Sequence, residues 1–186
     1  MNTEQLISAI KGNDEAARAQ AWMNAGPVGV EAVAPLTEVM ASTDTETRRA
    51  ATRALWKIVR HAGRPGAEQE AAAVSAKLIA VLEAGPPAGV AREIAWMLSE
   101  IAGDEATAPL GRLLKSTELR EHARAALQRI PGAKSLGVLE AALTSAPPEY
   151  QPAIAVSLRC RGVDVPDVRN DKLKPTRQTT VRKGGK

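Results

Sequence analysis

Phenylalanine is absent, and three tryptophans and one tyrosine are the only aromatic residues among 186. A core must therefore be filled by Leu, Val, Ile and Ala, and small alanines let helices approach closely. The single cysteine, Cys160, excludes an internal disulfide and fits a reducing, cytoplasmic compartment; late in its helix, it reads as a small packing residue. The two histidines are too few and too scattered for a zinc site. His61 falls at a helix end, where it can cap carbonyls, and His122 on a helix flank. No apolar run approaches the ~18 residues that cross a bilayer, so no membrane partner is expected. The opening MNTEQLISAIKGNDE has neither the basic start nor the apolar stretch of a signal peptide. Gly-x-Gly-x-x-Gly, the Walker loop, His-Glu-x-x-His and paired Cys-x-x-Cys are all missing. Acidic residues are dispersed, not paired. No catalytic, cofactor-binding or metal-binding residue is expected, and the chain reads as non-enzymatic.

The body also lacks net charge. Residues 1–161 hold eighteen basic and eighteen acidic side chains, whereas residues 162–186 hold seven basic and three acidic. The whole excess of +4 lies in the tail. A basic tail alone is a weak sign of nucleic-acid binding. The expected division is a helical unit over 1–163 and a basic, extended or disordered tail over 164–186, with too little apolar surface to offset the entropy of ordering. Val165, Val168 and Leu173 are the residues with which the tail would lie against the body. Deleting residues 166–186 is expected to leave the thermal midpoint nearly unchanged.

What is present is a repeat. In APLGRLLKSTELREHARAALQRIPG, Leu110, Leu113 and Leu114 mark one helical face, and Leu119, Ala123, Leu127 and Ile130 a second. Thr117 offers an N-cap between them, and Pro131-Gly132 stops the second helix. Aligning second helices along the chain gives the column Trp22, Leu55, Leu98, Leu127, Leu158, in steps of 33, 43, 29 and 31 residues. Such spacing marks stacked helical hairpins. First helices are expected over 3–11, 30–41, 67–84, 108–116 and 133–145, the first hairpin being a degenerate cap. In the second of these, Val33, Leu36, Val39 and Met40 face the core. Trp22 stands in the leucine column and is expected in the core. The loop from His61 to Gly66 accounts for the long step.

Ala34-Pro35-Leu36, Ala108-Pro109-Leu110 and the Leu-Arg-x-x-Ala-x-x-Ala-Leu-x-x-Ile run of residues 119–130 resemble the HEAT family and, more loosely, its armadillo-like relatives. The resemblance covers about residues 28–162. It implies an all-α, right-handed α-solenoid of about five stacked hairpins, with first helices convex and second helices concave. The arginine of the pattern is present as Arg48 and Arg120 but is Ala91 in the middle repeat, which breaks any ladder of such arginines there.

On a second helix the ridge opposite the core holds positions −6, −2, +1 and +5 from the key leucine, at 100° per residue. This ridge carries Arg49, Arg53, Trp56 and Arg60, then Arg92, Trp96 and Ser99, then Glu121, Ala125 and Gln128. Two tryptophans beside arginines are the composition of a binding hot spot. The same positions suit tryptophans packed between neighbouring second helices beside solvated arginines. The candidate partner-binding residues are Arg49, Arg53, Trp56, Arg60, Arg92 and Trp96. Their chemistry favours an adaptor that takes a protein or an acidic peptide in the concave groove. Nucleic acid is the second reading, and HEAT-like DNA glycosylases give it a precedent. Bilin lyases of phycobiliproteins, which also resemble HEAT repeats, give a third.

Overall fold

A computed structural model describes residues 1–169; Leu173 and the rest of the tail lie outside the described residues. The described residues form ten α-helices: α1 (Thr3–Lys11), α2 (Glu15–Met23), α3 (Val33–Val39), α4 (Thr45–Ala62), α5 (Glu68–Glu83), α6 (Ala88–Ile101), α7 (Thr107–Leu113), α8 (Arg120–Arg129), α9 (Ala133–Ser145) and α10 (Gln151–Cys160). No strand occurs among the described residues. Each odd helix packs on the even helix that follows it. The even helices also touch in sequence, α2 on α4, α4 on α6, α6 on α8, α8 on α10, and the odd helices form a parallel row. The result is an α-solenoid of five hairpins whose core lies between the two rows.

Leu55, Leu98, Leu127 and Leu158 are buried as the column requires, and Val33, Leu36, Val39 and Met40 are buried on the first helix of the second hairpin. Trp22 departs from the expectation. Ala21 and Ala25 are the buried residues of the α2 region, while Trp22 is half-buried at the edge of the core. Small side chains let α2 sit close on α4, and the indole is turned to the rim. There its ring takes the Arg53 guanidinium at 5.3 Å, an attraction between cation and π-face.

Two first helices are shorter than expected. Residues 30–41 do not form one α-helix: a 3-10 turn (Val30–Ala32) precedes α3, and a second (Asp104–Ala106) precedes α7. Pro35 and Pro109 each fall at the third position of their helix. A proline has no N–H and clashes with the preceding turn, so the α-helix begins within the few residues before it. Thr117 is not an N-cap. Helix α8 starts later, at Arg120, and Ser116 Oγ accepts from the Leu119 amide at 3.3 Å. Cys160 is exposed, not a packing residue; it ends α10, the last helix among the described residues.

Arginines close several helix ends. Arg18 donates to the Ile10 and Gly12 carbonyls, and Arg48 to those of Ser42 and Thr43. Arg161 reaches from the end of α10 to Ile130 O at 2.8 Å and Gly132 O at 2.9 Å. Arg159 donates to the carbonyls of Val165 and Val168, both at 2.5 Å. Val165 is buried and Val168 packs partly against the core, so the chain just past residue 163 is part of the fold. Gly63 lets α4 and α6 approach: a Cβ there would stand 2.8 Å from Ile101 Cγ2.

Asp44 caps α4, accepting from the Thr47 amide at 2.7 Å. Hydrogen bonds from Thr47, side chain and then backbone, hold its carboxyl below the usual carboxylate range. A lowered folded-state value means this stabilisation is complete above the unfolded value of about 3.9 and is lost as pH falls through the folded value. Asp44→Asn keeps the acceptor and removes the charge. Acid titrations of thermal stability should therefore show a shallower loss below about pH 4 in this variant than in the parent.

Candidate functional site

The ridge of the even helices is where sequence reasoning put the partner site. Helix α4 presents Arg49, Arg53 and Arg60 to solvent, with Trp56 half-buried; α6 presents Arg92, with Trp96 half-buried. Ser99 is buried, its Oγ donating to the Trp96 carbonyl at 2.7 Å, so it does not extend the exposed ridge. On α8 the ridge continues with exposed Glu121 and half-buried Ala125 and Gln128.

Both tryptophans bridge neighbouring repeats. Trp56 Nε1–H donates to Glu93 of α6 at 3.0 Å, and Trp96 Nε1–H donates to His122 Nδ1 of α8 at 3.2 Å. The Trp96 and His122 rings meet edge-on, with centroids 6.4 Å apart. One repeat further, Arg124 of α8 donates to Ser157 Oγ of α10 at 2.5 Å, and Ser157 Oγ donates to Gln128 at 2.8 Å. A polar rung thus joins α4 to α6, α6 to α8 and α8 to α10 along this face. Sequence spacing located the tryptophans but not their partners. Glu93 and His122 lie 37 and 26 residues away, and only the stacking brings them within reach. The indoles combine a structural rung at Nε1 with a partly open ring face, and Arg60 covers part of Trp56 at 5.0 Å.

The arginines differ in how far they are committed. Arg60 lies 3.8 Å from Glu100, and Arg49 pairs with Glu46 at 2.9 Å with both side chains more than half exposed. Exposed pairs of this kind contribute little. Arg53 stacks on Trp22, and neither Arg53 nor Arg92 has a carboxylate partner among the described residues. These two, with Arg48 and Arg49, line an open cleft of about 650 Å³. Its walls are the α3–α4 turn, the first half of α4 and the first turns of α6, and Glu93 is its one carboxylate among the described residues. The cleft was not visible in the ridge pattern, because Thr43 and Pro87 belong to turns. Arg48 was legible only as a repeat-pattern residue; here it ties the turn that forms one wall.

A second cleft, of about 870 Å³, opens at the other end between the α7–α8 and α9–α10 turns. Leu114, Val138 and Ala142 line it beside Arg112, Lys115 and Arg120. Arg120 stacks on Tyr150 at 4.2 Å, and Tyr150 Oη donates to the Arg120 carbonyl at 2.9 Å. Burial pushes the Tyr150 phenol up to about 12, so it stays protonated at neutral pH. Among the described residues no cluster of three or more His, Cys, Asp or Glu is placed to hold a metal, and no helix is long and apolar enough to cross a membrane.

No family model and no curated protein matches the chain. Among solved structures, it is similar to an engineered protein whose crystal structure was a target of the Northeast Structural Genomics Consortium. That match has 24% identity and a TM-score of 0.43, and it covers 85% of this chain and 78% of that one. It is also similar to a designed armadillo repeat protein, at 16% identity and a TM-score of 0.38, over 84% of this chain and 98% of that one.

Proposed function

We propose that the chain is a non-enzymatic adaptor of the HEAT type, acting in the cytoplasm, which holds an acidic segment of a partner protein along its even-helix ridge. The observation that carries this reading is the pair Arg53 and Arg92. Both are exposed at one cleft without a carboxylate partner among the described residues, beside the half-open Trp56. In a body with equal numbers of basic and acidic residues, a local surplus of arginine asks for an anion from outside. Arginine binds carboxylates through paired hydrogen bonds, and an adjacent indole supplies apolar area. Arg49, Arg53, Trp56 and Arg92 form the centre of this site, and Arg60 and Trp96 extend it along the ridge. Residues 1–163 form the binding unit in this reading, Val165 and Val168 pack against it, and the rest of 164–186 is a basic appendage. Nucleic acid remains the second reading, through the basic tail and the same arginines. A bilin-lyase role has no residue-specific support.

The test is capture from native lysate on the immobilised chain, eluted in a salt gradient, beside the Arg53→Glu/Arg92→Glu double variant. A protein retained by the parent and lost from the variant is expected. Reversal at a hot spot costs about 2 kcal/mol or more, roughly 30-fold in affinity. Co-purification of nucleic acid that falls steeply with salt would instead favour the second reading. Trp56→Phe serves as a companion: it removes the Nε1 donor while keeping an aromatic ring.

A further inference from the structure

We infer that the cleft between α4 and α6 is a receptor for a phosphorylated side chain of the partner protein. This rests on the adaptor reading above and names the anion it recognises. Four arginines, Arg48, Arg49, Arg53 and Arg92, line the cleft against one carboxylate, Glu93. Glu93 is already held by Trp56 Nε1–H at 3.0 Å. Arg48 spends its donors on neutral carbonyls and a threonine hydroxyl, and its charge acts on the Asp44 carboxylate without forming an ion pair among the described residues. Among the described residues, the only ion pair at the cleft's arginines, Arg49 with Glu46, is solvent-exposed on both sides and exchanges readily for a stronger anion. One incoming carboxylate would neutralise a single positive charge of this group. A phosphomonoester brings about −1.5 to −2 and three acceptor oxygens, which several guanidinium forks satisfy at once.

The wall formed by α6 has the same polarity. Helix α6, with Pro87 at its N-cap, has no side-chain cap and no acidic residue in its first turn, a state it shares with α3, α7, α9 and α10. At Gly89 the backbone is open: a Cβ there would meet only Arg92 Nη2, at 3.8 Å. The arginines make the site, and the uncapped helix end adds positive potential to it.

The charge pattern favours a single phosphomonoester over a polynucleotide. Further along the ridge Glu100 and Glu121 appear, lying near Arg60 and paired with Arg124. The basic surface therefore ends where a run of phosphodiesters would need it to continue.

The test uses the full chain and three synthetic nonapeptide libraries. They have degenerate flanks and a fixed central phosphoserine, glutamate or serine, and a ten-nucleotide oligothymidine is measured in parallel by fluorescence anisotropy. The phosphoserine library should bind at least about tenfold more tightly than the glutamate library, as expected for bidentate, doubly charged recognition. Arg92→Gln should remove most of that difference. Arg92 has no hydrogen bond or ion pair with a described residue, so its loss leaves the fold intact, and an unchanged circular dichroism spectrum checks this. Arg53→Gln should act in the same direction. Equal binding of the glutamate and phosphoserine libraries, both weakened by Arg92→Gln, would overturn the phosphate inference and leave the acidic-segment reading standing. Tighter binding of the oligonucleotide than of phosphoserine would overturn both. Failure of every probe to bind, or a phosphoserine preference that Arg92→Gln leaves untouched, would also overturn the inference.

Discussion

Leu98→Ala should lower the stability of the chain by about 2–5 kcal/mol, among the largest effects of any single apolar truncation in the stack. Leu98 is fully buried on α6, the middle even helix, which packs on α4, α5 and α8. The loss combines the transfer free energy of the deleted carbons with a cavity that a double row of helices closes only partly. For a chain of this length, each kcal/mol corresponds to about 2–4 °C in the midpoint. A denaturant melt should show the transition moved to lower concentration. A loss below about 1 kcal/mol would mean that this leucine is not enclosed as the stack requires.

Arg161→Ala should cost about 3 kcal/mol, on the scale of 1.5–3 kcal/mol for a hydrogen bond to a charged group, with the several bonds far from additive. The guanidinium reaches the carbonyls of Leu127, Ile130 and Gly132 and the Ser135 hydroxyl. It thereby satisfies the C-terminal end of α8 and the turn into α9, groups that a helix cannot satisfy internally. Truncation removes the donor to the Leu127 carbonyl and leaves the Ile130 and Gly132 carbonyls to share the single Ser135 hydroxyl. Arg161→Lys should recover only a fraction, because one ammonium cannot span the fork that Arg161 uses. Chemical melts of the two variants check this order; equal stability of Arg161→Ala and the parent would contradict it.

The hairpins and the leucine column were legible because helical periodicity repeats over four full copies, and each copy supports the same register. Trp22 was misplaced because α2 is a degenerate copy. With alanines at positions 21 and 25 and tryptophan at 22, amphipathic pattern alone does not say which face turns inward. Packing decides, and it favours the small residues that let α2 sit on α4. The 3-10 steps before α3 and α7 were written in Pro35 and Pro109, but apolar periodicity runs across both and conceals them. For the candidate site, the helical wheel put the arginines and both indoles on one ridge. It had no means of finding Glu93 for Trp56 or His122 for Trp96, since such pairs depend on the offset between stacked helices. Nor could it separate Arg53 and Arg92, which lack a carboxylate partner among the described residues, from Arg60, which lies near Glu100. Arg161 carried no sequence signal at all: it follows the last helix, where a basic residue is ordinary.

The measurement that tests the ridge most directly is a heteronuclear NMR titration with the phosphoserine library. The chain has three tryptophans, so three indole N–H signals report separately on the ridge. The Trp56 indole, the Trp22 indole beneath Arg53 and the Gly89 amide should move together and saturate at one affinity. Signals from the α7–α8 and α9–α10 turns should stay in place. Saturable shifts confined to those turns, or to the odd helices, with the Trp56 and Gly89 signals unmoved, would contradict the assignment of the partner site to the even-helix ridge.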